Sequence, residues 1–146
     1  MSLNVDCETR VSLKSSPDYL PRIRKIVACM AEGVGMDQQE TDEAKLVLTE
    51  ACVNAIRHGS PQGACDNVVI TFRASKSTIV ADVTDCGGQA DLPDDAVEEG
   101  FGMRLMRKLA DKVQFIKHKT GLTVRLTKQA KKANRIISQP TQISRN

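Results

Sequence analysis

The sequence predicts an α+β domain, a two-layer sandwich in which helices cover one face of a mostly antiparallel mixed sheet. Three observations carry this. Runs rich in β-branched residues come in pairs joined by short polar links, the pattern of hairpins. Helical periodicity lies in separate stretches before and between those pairs. The chain has 146 residues, 40% hydrophobic and 27% charged, which suits one domain with one core.

Taken in order, Leu3 to Leu13 reads as a strand that stops at Ser-Ser-Pro. Ser15-Ser16-Pro17-Asp18 then starts a helix with Pro in its first turn. Tyr19, Ile23, Ile26, Val27 and Met30 keep its period until Gly33-Val34-Gly35 ends it. Asp37 is a candidate N-cap, and Glu40 three residues on completes a capping box. The central helix runs from Thr41 to Gly59, and Leu46, Val47, Val53 and Ile56 predict that most of it is buried. Val68–Arg73 and Thr78–Thr84 form a hairpin across Ala74–Ser77. Gln89 to Glu99, acidic and Pro-containing, reads as a mobile loop. Gly100-Phe101-Gly102 opens a third helix, with Met103, Leu105, Met106 and Leu109 inward and an end near Asp111. Val113–Lys117 and Leu122–Leu126 form a second hairpin through Lys119-Thr120-Gly121. The domain is expected to span residues 1–128, with 129–146 a flexible basic tail.

Composition removes several classes of function. With three Phe, one Tyr and no Trp, the stacking surfaces of single-strand nucleic-acid binders are not expected. The net charge of +3 is mild, and Lys128, Lys131, Lys132 and Arg135 supply much of it, so no direct nucleic-acid contact is expected. Five Cys without a CxxC pair, beside two His, build no zinc site, and free thiols in a reducing cytoplasm are the simplest reading. No stretch approaches the roughly 20 apolar residues of a membrane span, and the N-terminus lacks the apolar core of a signal peptide.

Three short stretches carry chemistry. Glu50, Asn54 and His58 recur every four residues on the central helix, hence on one side of it. Polar groups among apolar ones need a partner. The Asn54 amide oxygen is a hard neutral ligand suited to magnesium, and the Glu50 carboxylate can accept a proton from an attacking hydroxyl. Asp85 and Gly87 follow a strand, where a carboxylate can accept an exocyclic amine and Gly lets a base approach the backbone. Gly100 and Gly102 open a helix, whose N-terminal amides bind phosphate. Each motif alone is more often structural: an ExxxN pair is usually a surface pair, DxGG a turn, and GxG a plain helix start. Their order argues for a magnesium-nucleotide site. His58 reads as a helix-dipole contact, and Arg57 and Arg104 are the nearest cations to neutralise phosphate.

EACVNAIRH resembles the N box of the gyrase, Hsp90, histidine-kinase and MutL-type ATPases, VTDCGG their adenine-binding box, and GFGMRLMRKLADKV their second glycine box. Within that superfamily the likeness is greatest to the bacterial anti-sigma factors that are also serine/threonine protein kinases. The resemblance, over about Leu13 to Lys128, implies the left-handed-crossover α/β sandwich, a Bergerat-type ATP-binding fold. It implies Glu50 as catalytic base and Asn54 as magnesium ligand. Asp85 and Gly87 become the adenine contact, Gly100 and Gly102 the phosphate turn, Thr123 a late-strand Thr near the adenine Asp, and 89–99 a lid. Gln89 departs from the family's second box Gly. The implied activity is partner switching in the cytoplasm, as a homodimer. ATP and magnesium are used, a sigma factor is held, and a STAS-type anti-anti-sigma factor is phosphorylated. The alternative is a nucleotide-gated module that sequesters a partner without catalysis.

Overall fold

The computed structural model describes residues 7–58, 67–86 and 100–131. Gly87, the expected loop 89–99, the start of the first strand and the tail from 132 lie outside the described residues. Strand β1 is Cys7–Lys14, helix α1 Leu20–Gly33, α2 Gln38–His58, β2 Asn67–Ser75, β3 Thr78–Thr84, α3 Phe101–Leu109, β4 Lys112–His118 and β5 Gly121–Gln129. The strands form one sheet in the order β1-β2-β3-β5-β4, and every pairing among the described residues is antiparallel.

Local signals set the element ends. Ser16 caps a short 3₁₀ turn, Pro17–Tyr19, by accepting from the Asp18 amide at 3.3 Å, and α1 follows with Pro21 in its first turn. The expected capping box before α2 is present. The Glu40 amide donates to Asp37 Oδ1 at 2.8 Å, and the Asp37 amide donates to Glu40 Oε1 at 3.1 Å. β2 and β3 turn on Lys76 and Ser77 alone, with Lys76 in the left-handed region at φ 52. The hairpin strands are thus longer than the β-branched runs that mark them.

Alternation divides the sheet. Val68, Ile70, Phe72 and Ala74 of β2, Ile79, Ala81 and Val83 of β3, and Val124 and Leu126 of β5 join the core beneath the helices. Register sets large against small there, with Phe72 opposite Ala81. From the helix layer come Ile23, Val27 and Met30 of α1, Ala44, Val47, Leu48, Ala51, Cys52 and Ala55 of α2, and Met106 of α3. The α2 set follows i, i+3, i+4, i+7 spacing, so α2 buries a stripe rather than most of its surface. Leu46 is 42% exposed and Val53 and Ile56 are half-buried, because their positions on the helix lie on the flanks of that stripe.

The opposite face of the sheet is polar. Asp82 accepts from Arg125 through two bonds, at 2.8 and 2.9 Å, and from Arg73 at 3.0 Å. The body also runs past residue 128, where the tail was expected. The Ala130 amide donates to Ser77 O at 2.6 Å, the Lys131 amide donates to Glu40 Oε2 at 2.7 Å, and Lys128 Nζ pairs with Glu43 at 3.1 Å. The first bond ties the end of β5 to the β2–β3 turn and the other two tie it to the start of α2, a long-range docking that a local reading of a basic run does not contain.

Candidate nucleotide site

Glu50 and Asn54 are half-buried, one turn apart on the flank of the buried stripe of α2. Arg57 is exposed and His58 is the last residue of α2, its side chain outside the described residues. The second and third motifs meet this helix and the sheet in different ways.

Gly102, the second residue of α3, lies directly against Glu50. A Cβ on Gly102 would collide with Glu50 Oε2 and stand 3.2 Å from its Cδ. The Glu50 carboxylate therefore sits at the first turn of α3. Gly100 is the N-cap and supplies no side-chain cap, and the first helical bond runs from the Arg104 amide to Gly100 O at 3.2 Å. The amides of Phe101, Gly102 and Met103 precede that bond, so the start of α3 is a donor set for anions. Arg104 is exposed on the same turn. The first and third motifs, 50 residues apart in sequence by the positions of Glu50 and Gly100, form one place.

Asp85 is 6% exposed and follows β3 directly. Its amide donates to Leu122 O at 3.0 Å, which continues the β3–β5 ladder one step past Thr84. Gly121 presses on it from β5: a Cβ there would overlap the Asp85 carbonyl oxygen and stand 2.8 Å from its carbon and 3.2 Å from Cys86 Cα. In the sequence Gly121 reads as a turn residue. The structure makes it a close-approach glycine that fixes where Asp85 leaves the sheet.

Thr123, which the resemblance sets near the adenine Asp, is buried but points away from this site. Val124 and Leu126 belong to the core face, so Thr123 lies on the polar face with Thr84, its register partner. Its hydroxyl meets Thr84 Oγ1 at 2.7 Å and His118 Nε2 at 2.7 Å. Leu122 instead packs toward the helices beside Asp85. A step of one residue along a strand exchanges the two faces.

Among the described residues no three His, Cys, Asp or Glu gather as a metal-binding group. A magnesium ion here would draw one protein ligand, the Asn54 amide oxygen, and its remaining ligands from phosphate and water, the pattern usual for that ion. A separate cavity of about 500 Å³ between β1 and α1, lined by Cys7, Ile26, Cys29, Met30 and Val34, contains none of these residues.

The family of histidine kinase-like ATPase domains matches residues 13–128. The chain belongs to this family. Among curated relatives of this ATPase domain, the serine-protein kinase RsbW of Bacillus pumilus is 27% identical over 135 residues, covering 81% of this chain and 83% of that protein. The RsbW of Bacillus subtilis is 27% identical over 133 residues, covering 81% and 82%. Two solved structures share the fold. The RsbU and RsbW domains of Rv1364c from Mycobacterium tuberculosis superpose with a TM-score of 0.65 at 17% identity, over 84% of this chain and 32% of that one. The histidine kinase domain of the blue-light activated kinase EL346 from Erythrobacter litoralis gives a TM-score of 0.57 at 19% identity, over 84% and 64%. The α+β fold expected from the hairpin pattern is the fold of these ATPase domains. No helix among the described residues is long and apolar enough to cross a membrane.

Proposed function

We propose that the chain is an ATP-dependent serine/threonine protein kinase that acts as an anti-sigma factor. It would hold a sigma factor and phosphorylate a STAS-type anti-anti-sigma factor. The relatives named serine-protein kinase RsbW support the kinase reading. The observation that carries it is the Glu50 carboxylate against Gly102, at the first turn of α3.

The roles divide by chemistry. Asp85 accepts the exocyclic amine of adenine, and Gly87 gives the base access to the backbone. The amides at the start of α3, from Gly100 to Gly102, bind phosphate oxygens. Arg104 adds positive charge on that turn. Glu50, in reach of the same turn, accepts the proton of a partner's serine hydroxyl as its oxygen attacks the γ-phosphorus and the β–γ bridging bond breaks, leaving ADP. Asn54 would hold magnesium, which when bound would offset charge on the phosphates. Alignment of serine, carboxylate and phosphate supplies most of the acceleration in such a reaction.

The test is transfer of label from γ-labelled ATP to a STAS-domain protein, with Glu50→Gln in parallel. Wild type should label the partner at a serine. Glu50→Gln should bind ATP as before and label it at least a hundredfold more slowly, the usual size of a general-base contribution. Full transfer by Glu50→Gln would remove the base assignment. ATP-dependent retention of a partner without any label would leave the nucleotide-gated binding module in its place.

A further inference from the structure

We propose that His118 is a positioning residue for the base-recognition end of the site, acting from the opposite face of the sheet through Thr123 and Thr84. The inference rests on the reading of Asp85 as the base contact.

Three hydrogen-bonded groups span three elements. His118 ends β4, Thr123 lies near the start of β5, and Thr84 ends β3. His118 Nε2 meets Thr123 Oγ1 at 2.7 Å, and Thr123 Oγ1 meets Thr84 Oγ1 at 2.7 Å. Thr84 is the residue before Asp85. Thr123 is the residue after Leu122, whose carbonyl accepts the Asp85 amide at 3.0 Å. Gly121, the register partner of His118, is the glycine pressed on the Asp85 carbonyl. The chain of side chains thus clasps, from behind, the two strand ends that hold Asp85 in front.

The clasp needs its third member. A threonine hydroxyl has one proton and bonds two groups here, so it donates to one and accepts from the other. With an unprotonated Nε2, Thr123 donates to His118 and accepts from Thr84. With a proton on Nε2, His118 donates and Thr123 turns its own proton to Thr84. Either way the imidazole fixes one orientation of a hydroxyl on a residue that is only 5% exposed. His118 itself is exposed, so packing does not require it. Its ring is held by what it bonds.

The experiment uses His118→Ala, His118→Gln and, as a control on the same face, Arg73→Ala. The readouts are amide exchange at Asp85, the ATP dissociation constant and the melting temperature. Loss of one hydrogen bond predicts about tenfold faster Asp85 exchange and about tenfold weaker ATP binding in His118→Ala. His118→Gln, whose amide reaches the Nε2 position, should recover both. Arg73→Ala should lower the melting temperature without moving either local readout. Wild-type exchange and affinity in His118→Ala, or equal losses in His118→Ala and His118→Gln, would overturn the proposal. A wild-type chain that binds no ATP would remove the reading of Asp85 and this role together, an outcome distinct from wild-type binding that His118→Ala leaves intact.

Discussion

Gly121→Ala tests the base end of the site most directly. The added Cβ would overlap the Asp85 carbonyl oxygen and stand 2.8 Å from its carbon. Carbon atoms pack at about 3.5 Å or more, so clearing the carbonyl carbon alone parts the strand ends by roughly 0.7 Å, and the oxygen asks for more. The atoms in the way are backbone, and no rotamer change relieves them. Overpacking of this kind costs about 1–3 kcal/mol in stability. A displacement of that size would lengthen the proposed base contact from an ordinary hydrogen-bond length of about 2.9 Å to roughly 3.6 Å or more, past the limit of a hydrogen bond. A lost bond to a charged acceptor costs about 1.5–3 kcal/mol, so ATP binding should weaken roughly ten- to hundredfold. Calorimetric titration with ATP reads the affinity, and urea unfolding reads the stability. Gly33→Ala is the internal control, since a Cβ there meets nothing within 4 Å and Gly33 closes α1. It should leave affinity unchanged and add up to about 1 kcal/mol of stability. A Gly121→Ala protein with wild-type stability and an ATP affinity within twofold would refute the close-approach argument.

The other predictions follow from the same geometry. In Gly102→Ala the atoms nearest the new Cβ belong to the flexible end of the Glu50 side chain, with Cδ at 3.2 Å and Cγ at 3.8 Å. It should change unfolding free energy by less than about 0.5 kcal/mol, yet displace the carboxylate and suppress phosphotransfer in a labelled-ATP assay. Asp82→Asn removes the charge that Arg73 and Arg125 share and leaves two guanidinium groups facing each other. Urea melts should show a loss of about 1–2 kcal/mol, and Arg73→Ala, which spares the two-bond Arg125 contact, less than about 1 kcal/mol. Burial pushes the Cys52 thiol up to about 12 from its ordinary 9.0. Above that ordinary value the unfolded chain loses the proton and the folded chain keeps it, so stability falls as pH rises from about 9 to about 12. The slope is about 1.4 kcal/mol per pH unit, and it should vanish in Cys52→Ala when the two proteins are melted side by side.

The sequence was legible where function or structure rests on near neighbours. Asp37 and Glu40 predict their own capping box because both partners lie within one turn. Glu50 and Asn54 share a side of α2 because helical spacing alone puts them there. The β-branched runs predict hairpins for the same local reason. What stayed hidden depends on register. Gly121 looks like a turn glycine until β5 is laid beside β3 and its neighbour proves to be Asp85. Thr123 and Leu122 differ by one residue, and in a strand that one residue selects the face. Lys128 belongs to a basic run at the expected end of the domain, yet it is 12% exposed at the side chain and paired with Glu43. That pairing spans most of the chain, and no local pattern encodes it.

The two ends of the site are built from different materials, and the difference has a mechanical meaning. At the proposed base end Asp85 is held to β5 through backbone: its amide bonds the Leu122 carbonyl and Gly121 presses on its own carbonyl, with the threonine hydroxyls and His118 behind. Backbone in a ladder moves only when strands part, so this end is stiff and, if Asp85 is the base contact as proposed, would discriminate between bases by fit. At the phosphate end Glu50 is a three-torsion side chain resting on a glycine, and Asn54 is half-buried beside it. In the proposed kinase this end could adjust as a γ-phosphate leaves and a serine arrives, without cost to the core. Substitutions at Gly121 and His118 should therefore alter binding and phosphotransfer in proportion, whereas those at Gly102 and Glu50 should separate them. Measured kcat and KM for the four sets of variants decide the point: a uniform loss of kcat at fixed KM across all four would mean that the two ends act as one.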